Sequence, residues 1–362
     1  MNWFYEQPVK IIFGNNSINK LPELVNNRKV LIVTSPYFTK SGISDKLSKQ
    51  LNNCPVFDKI SPNPDAEEVN FCSKIVYKNK TECIIALGGG SVIDLAKAAS
   101  LGKEDISGYI GKNINEKGVP VIAVPTTAGT GSEVTCVSVI SDRKTGRKAP
   151  INSNGFYPEY AVIDPVLTYS LPPYITAVSG IDVLCHAVEG YWSKNHQPIC
   201  DSLAFHAIKI VFDYLPRTYK NAADAEAREK MAEASLIAGL AFTQAKTTAS
   251  HACSFPLTSI YGIPHGEACG LTLDFFARIN EKDPRTRSLV TALGFPDVNT
   301  FADRIFDLKQ KLGLRTGIKG LDLSDNNIKE LIQKSKHPNL LNNPVEITDG
   351  ILFELYTELK ER

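Results

Sequence analysis

The sequence predicts an α/β half followed by an all-α half, divided near Leu171. Three observations carry this. Short β-branched runs alternate with helical stretches as far as Ile163. After Leu171-Pro172-Pro173 the strand signal nearly vanishes, and long amphipathic stretches take over. A length of 362 residues exceeds one ordinary hydrophobic core and fits two domains, placed at 1–171 and 172–362.

In the first half, Lys29–Thr34 (KVLIVT) is a continuous apolar run suited to a strand buried on both faces. It ends at the turn signal Ser35-Pro36. Cys83–Leu87 (CIIAL) is a second such strand, ending at Gly88-Gly89-Gly90. Ser91–Leu101 follows, with Val92, Leu95, Ala96 and Ala99 at helical spacing. Val121–Val124 (VIAV) is the next strand, ending at Pro125. Strand, glycine turn, helix, strand is the order of a parallel sheet covered by helices. Val134–Ile140 alternates and meets the polar turn Ser141–Gly146, which predicts a hairpin; Tyr160–Ile163 is the last strand. In the second half, helices are predicted over Ile199–Tyr214, Ala225–Gln244, Val298–Leu312 and Thr348–Leu359, with a shorter one over Asn326–Lys334.

Composition removes several function classes. An apolar fraction of 43% with 22% charged residues is that of an ordered globular chain. A net charge of +1 without a basic stripe argues against nucleic acid as a partner. The opening MNWFYEQPVKIIFG carries Glu6 and Lys10 and does not read as an export signal. Apolar runs such as Ala238–Phe242 fall far short of the roughly 18 residues a membrane span needs. The eight cysteines are scattered without a C-x-x-C, so the expectation is reduced thiols in a cytoplasmic protein.

Two loops at strand ends suggest a phosphate-bearing cofactor. Gly88-Gly89-Gly90-Ser91 lets backbone approach a ligand at a helix start, where free N–H groups favour an anion. A tight turn without a ligand is the alternative, and the G-x-G-x-x-G fingerprint is absent. The second loop, Pro125–Glu133 (PTTAGTGSE), gathers Thr126, Thr127, Thr130 and Ser132 around Gly129 and Gly131. Hydroxyls on flexible backbone suit phosphate or ribose.

Asp182 and His186 lie four apart in GIDVLCHAVEGY, on one face of a predicted helix. His251 and His265 lie fourteen apart with two prolines between. One carboxylate with three imidazoles suits Fe²⁺ or Zn²⁺ better than Mg²⁺ or Ca²⁺, which favour all-oxygen shells. A helix-surface hydrogen bond for the first pair, and core or surface roles for the last two, remain open on spacing alone.

With these motifs in hand, the sequence resembles the iron-containing (group III) alcohol dehydrogenases, which share a fold with dehydroquinate synthase and glycerol dehydrogenase. GGGSVIDLAK is similar to that family's GGGSxxDxAK element, and PTTAGTGSEVT to its second cofactor loop. GIDVLCHAVEGY and HACSFPLTSIYGIPHG resemble the two segments that supply its metal ligands. The resemblance implies Asp182, His186, His251 and His265 as ligands of Fe²⁺, with Zn²⁺ an alternative. It implies Gly89, Gly90, Ser91 and Asp94 at the pyrophosphate turn, and Thr127, Thr130 and Ser132 along the nicotinamide half. Lys148 is placed near the cofactor and Asn63 near its adenosine end. The implied activity is metal-dependent reduction of a small aldehyde to a primary alcohol with NADPH or NADH. Dimers are common in that family, so a homodimer is expected.

Two departures qualify the resemblance. Many members carry a second histidine four residues after the third ligand, where this chain has Phe255. The proton route then needs water, a cofactor hydroxyl or another side chain, with His196 a candidate and a solvent-exposed loop histidine its plainer reading. NAD-preferring members often have an acidic residue after the first strand; Ser35 stands here, which tilts the expectation towards NADPH. TTASHACSFPLTSIYGIPHG is most similar to the subgroup that reduces phosphonoacetaldehyde to 2-hydroxyethylphosphonate, a phosphonate-biosynthesis step. Such a substrate needs cations or N–H donors, for which Arg147, Lys148 and Lys246 are candidates, each otherwise a solvated surface charge. Without a cation near the metal pocket, a plain aliphatic aldehyde becomes the better expectation. The alternatives are a general aliphatic alcohol dehydrogenase, a lyase of the dehydroquinate-synthase type, and a non-catalytic nucleotide-binding protein.

Overall fold

The computed structural model describes residues 2–362. They form two compact units: one spans Gln7–Tyr169, and the other joins Ser170–Arg362 to the residues preceding Gln7.

The first unit is built on a six-stranded parallel sheet. Its strands are β1 (Lys10–Phe13), β2 (Val30–Thr34), β3 (Val56–Phe57), β4 (Cys83–Gly88), β5 (Val121–Pro125) and β8 (Tyr160–Ile163). The antiparallel hairpin β6 (Val137–Asp142) and β7 (Arg147–Asn152) stands beside it. Sheet order is β1-β8-β5-β4-β2-β3. The central strands are buried on both faces because alternate side chains feed two cores. Leu31, Val33, Ile84, Ala86, Val121 and Ala123 face one side, with the Ala66–Lys78 and Gly90–Ser100 helices. Val30, Ile32, Cys83, Ile85, Ile122 and Val124 face the other, with Leu21, Phe38 and Leu47. The chain steps from β2 outward to β3, then returns to the other side of β2 as β4. That reversal opens a crevice at the carboxyl ends of β2 and β4, where ligands of open α/β sheets bind.

The predicted strands are present, with two additions and one shift. β1 is an exposed edge strand and β3 has only two residues, so neither carries a clear periodic signal. The hairpin strand begins at Val137, because Ser132–Val134 forms a turn of 3-10 helix after Gly131 in the left-handed region (φ 60°).

The second unit is helical. Its central helix, Pro173–Trp192, is buried without a break from Gly180 to Gly190. It packs against Pro198–Lys220, Ala225–Ala245 and His265–Ile279. Ala249–Tyr261 and His265–Ile279 form a tight pair, separated only by residues 262–264. The prolines between His251 and His265 leave both helices intact. Pro256 lies within the first helix, and Pro264 directly precedes the second. Gly262, at φ +67°, makes the left-handed stop that lets the chain reverse. Residues 2–6 belong to this unit: the Tyr5 hydroxyl donates to Leu240 O at 3.4 Å, and the Gln197 and Gln244 amides donate to Phe4 O and Glu6 O. Among the described residues no helix is long and apolar enough to cross a membrane.

Candidate active site

In the helical unit, three helices deliver polar side chains to one buried point. Asp182 and His186 come from the central helix, His251 from the third residue of Ala249–Tyr261, and His265 from the first residue of its own helix. Polar residues in so buried a helix are costly unless something partners them. The Oδ1 of Asp182 lies 3.7 Å from Nε2 of His251, and both atoms are buried with no hydrogen-bond partner. The His265 ring meets that of His251 edge-on at an interplanar angle of 68°, ring centroids 5.4 Å apart. One turn beyond His265, Cys269 joins the group: donor atoms of Asp182, His251, His265 and Cys269 all lie within 4.8 Å of one another. His186 flanks them, stacked on Phe242 at 4.1 Å and with its ring 4.6 Å from that of His251.

Electrostatics point the same way. Burial raises the Asp182 carboxyl to about 7; His251 pulls it back and Glu189 pushes it further up. Burial alone would lower His251, but the carboxylates of Glu189 and Asp182 outweigh it and raise the imidazole. A buried carboxylate oxygen facing a buried imidazole nitrogen, neither with a donor, is what a cation would satisfy. The oxygen, nitrogen and sulfur donors match a first-row transition metal better than Mg²⁺ or Ca²⁺. The residues therefore fit a bound Fe²⁺ or Zn²⁺.

Glu189 was not among the sequence candidates, and it organises the group. Fully buried, its Oε1 accepts from the Thr248 hydroxyl (2.8 Å) and from the backbone N–H groups of Thr248 (3.2 Å), Ser250 (2.7 Å) and His251 (3.3 Å). A carboxylate from the central helix thus caps the amino end of Ala249–Tyr261. Its Oε2 pairs with Nδ1 of His251. That pairing keeps the proton on Nδ1 and leaves the Nε2 lone pair facing Asp182. The Trp192 indole donates to the Thr248 hydroxyl at 2.9 Å and completes the chain. The signal was present in sequence: positions 182, 186 and 189 fall on one helical face. Glu189→Gln is expected to weaken metal affinity by ~10–100-fold, the usual cost of losing such an outer partner. A competitive chelator titration reads this, and an unchanged dissociation constant would refute the role.

The other sequence candidates in this unit lie as follows. Lys246 is exposed at the end of Ala225–Ala245, with backbone φ of 65° and its ammonium donating to Thr243 O at 2.7 Å. His196 faces Asp201 at 3.1 Å, and Asp201 also takes Arg285. Phe255 packs on His337, ring centroids 4.6 Å apart, and its ring is 6.4 Å from that of His265.

In the α/β unit, the two loops form one cradle at the carboxyl ends of β4 and β5. A Cβ on Gly90 would lie 2.7 Å from Cγ2 of Thr130, and one on Gly89 would lie 3.2 Å from Oγ1 of Thr127. Bare glycine backbone is what lets the loops meet. The helix that starts at Gly90 has no acidic residue in its first turn to repel a phosphate. Thr126 is buried, its N–H bound to Gly88 O at 3.1 Å. Asn63 joins the rim: its N–H donates to the Ser91 hydroxyl at 3.3 Å, and its Oδ1 accepts from Nζ of Lys148 at 2.7 Å. Arg147 neighbours Lys148 on β7. Ser35 follows β2 at the start of the Pro36–Lys40 helix, without a side-chain capping bond. Asp94 and Ser132 engage each other at 2.6 Å, and the second Asp94 oxygen accepts from Val139 N–H at 3.0 Å. The cradle fits a dinucleotide.

Comparison with known proteins bears on both units. The sequence model described as iron-containing alcohol dehydrogenase matches residues 8–165. The model of the C-terminal part of the Fe-containing alcohol dehydrogenase family matches residues 176–359. Alcohol dehydrogenase 4 of Saccharomyces cerevisiae is 31% identical, covering 95% of each chain. A sulfoacetaldehyde reductase from Bifidobacterium kashiwanohense, solved in complex with NAD+, is similar with a TM-score of 0.96 and 52% identity over 99% of each chain. A 1,3-propanediol oxidoreductase structure superposes with a TM-score of 0.92 at 29% identity, covering 99% of this chain and 100% of that one.

Proposed function

From the premise that the chain belongs to the iron-containing alcohol dehydrogenase family, we propose that it reduces a two-carbon aldehyde carrying a tetrahedral anionic group. The coarser activity is that of the family: NAD-linked interconversion of an alcohol and an aldehyde, with iron as the metal. The single observation behind the finer reading is 52% identity to a sulfoacetaldehyde reductase along 99% of both chains. Sulfoacetaldehyde is the favoured substrate. Phosphonoacetaldehyde, of similar shape but higher charge, is the second reading.

When bound, the metal supplies Lewis acidity to the substrate oxygen and the nicotinamide supplies hydride. This chain's residues do the rest. Asp182, His251 and His265 would hold the metal, with His186, whose ring flanks that of His251, as the fourth ligand, Cys269 beside them, and Glu189 fixing the tautomer of His251. The cradle of Gly89, Gly90, Ser91, Thr127 and Thr130 would bind the dinucleotide. Lys246 is the candidate in the helical unit for the substrate anion. A preference for NADPH through Ser35, where no carboxylate would repel a 2′-phosphate, is the finer cofactor reading.

The test is an assay of the iron-loaded protein with sulfoacetaldehyde, phosphonoacetaldehyde and propanal, using NADH and NADPH in parallel. An anionic aldehyde should exceed propanal in kcat/KM by ~10-fold or more, the order of one charge-assisted contact. Equal or faster turnover of propanal would overturn the anionic reading and leave a general aldehyde reductase.

A further inference from the structure

Lys97 is a fully buried lysine in the α/β unit, on the helix that begins at the glycine turn. Its ammonium is ringed by five oxygens: Ser132 O (2.5 Å), Ser132 Oγ (2.9 Å), Thr135 O (2.9 Å), Val137 O (3.0 Å) and Thr135 Oγ1 (3.2 Å). Three of these are main-chain carbonyls from one short stretch. Carbonyl dipoles aimed at a common point repel one another, so the stretch keeps this shape only with a cation at its centre. Burial lowers the ammonium to about 8, against the pull chiefly of Asp94, so it stays mostly charged at neutral pH.

The ordered stretch connects two parts of the cradle. On one side it continues the loop that sets Thr127 and Thr130 against Gly89 and Gly90. On the other it enters the hairpin whose β7 carries Lys148, bound to Asn63 on the rim. Asp94, one turn before Lys97, braces the same stretch through Ser132 Oγ and Val139 N–H, while its carbonyl accepts from the Ser138 hydroxyl at 2.7 Å. A buried ion is a poor device for stability, since an apolar side chain of similar volume often serves as well or better. It suits a shape that apolar packing cannot impose.

We propose that Lys97 is a positioning residue for the cofactor: an internal cation that folds the 132–137 backbone and so presents the threonine loop to the dinucleotide. This rests on the reading of the cradle as the NAD(H) site. Its fully buried ammonium is enclosed by these five protein oxygens and acts through the loop.

The experiment uses the full-length, iron-loaded protein and measures cofactor affinity by fluorescence titration, KM for the cofactor, kcat and iron content. Wild type is titrated first with NADH and with NADPH, and the tighter of the two is used throughout; failure to bind either would refute the cradle itself, separately from Lys97. In Lys97→Met the cofactor dissociation constant and KM should rise together by ~10-fold or more, as expected when a binding loop loses its shape. Iron content should not change. In Lys97→Ala, n-butylammonium should restore part of the cofactor affinity, whereas n-butanol, similar in size but uncharged, should not. Thr135→Val, which removes one of the five oxygens, should show a smaller rise and keeps the test open if the larger changes prevent folding. Wild-type cofactor affinity in Lys97→Met, rescue by n-butanol as good as by n-butylammonium, or an unchanged Thr135→Val would overturn the proposal.

Discussion

His265→Ala is expected to yield a folded protein that no longer retains iron after dialysis and turns over aldehyde at least ~10³-fold more slowly, the scale of several kcal/mol of lost charge stabilisation. The fold should survive because His265 is only half-buried and sits at the first position of its helix, directly after Pro264. Truncation there removes no interior hydrogen bond of the helix. Activity should not survive, because the imidazole completes the group formed by Asp182 and His251. Iron content by elemental analysis and kcat/KM after chelation and reloading measure the two effects. Full activity after reloading would show that His265 is not a ligand.

Gly266→Ala is expected to damage stability and metal binding together. Gly266 lies where its helix crosses the central helix, and an added Cβ would stand 2.2 Å from the carbonyl oxygen of Val178 and 2.9 Å from Cβ of Asp182. The first obstacle is backbone and cannot rotate away, so the helices must part. Overpacking of this kind costs about 1–3 kcal/mol. The small gain in helix propensity does not offset it, because position 266 is in the first turn, where propensity counts least. The separation falls between His265 and Asp182, and a shift of about 1 Å in such a site lowers turnover by ~10²-fold. Thermal unfolding together with a chelator titration checks the pair. A lowered melting point with unaltered metal affinity would mean that the site tolerates the displacement.

Much of the fold is legible in the residues, for identifiable reasons. β2, β4 and β5 are continuous apolar runs because both of their faces are buried, and such runs stand out against turns rich in glycine and proline. β1 escapes notice because KIIF is an exposed edge strand, and β3 because two residues have no period. The paired helices carrying His251 and His265 are masked by Pro256 and Pro264, because proline ordinarily interrupts a helical pattern. Pro264 in fact precedes a helix start, where a missing N–H costs nothing. Within the site, the spacing of Asp182 and His186 is visible to inspection, but their meeting with His251 and His265 is a matter of helix packing. Local periodicity cannot reach that far, and the resemblance to a family supplied it. Glu189 and Lys97 show a different limit. Each is a buried charge whose role lies entirely in the atoms around it, and neither its type nor its position in the sequence reveals those partners.

The N-terminal residues have a consequence for how the chain can be divided. Residues 2–6 and Ser170–Arg362 belong together, so in chain order the nucleotide half is an insert bounded by two seams, at 6/7 and 169/170. A fragment begun at residue 170 would lose the Tyr5 hydroxyl that donates to Leu240 O, and leave the amides of Gln197 and Gln244 without their acceptors. An affinity tag placed ahead of residue 2 would load the metal-binding half, although the sequence beside it belongs to the other. Grafting the nucleotide half onto a different helical partner therefore requires two joints, the first of them after the recipient's own counterpart of residues 2–6.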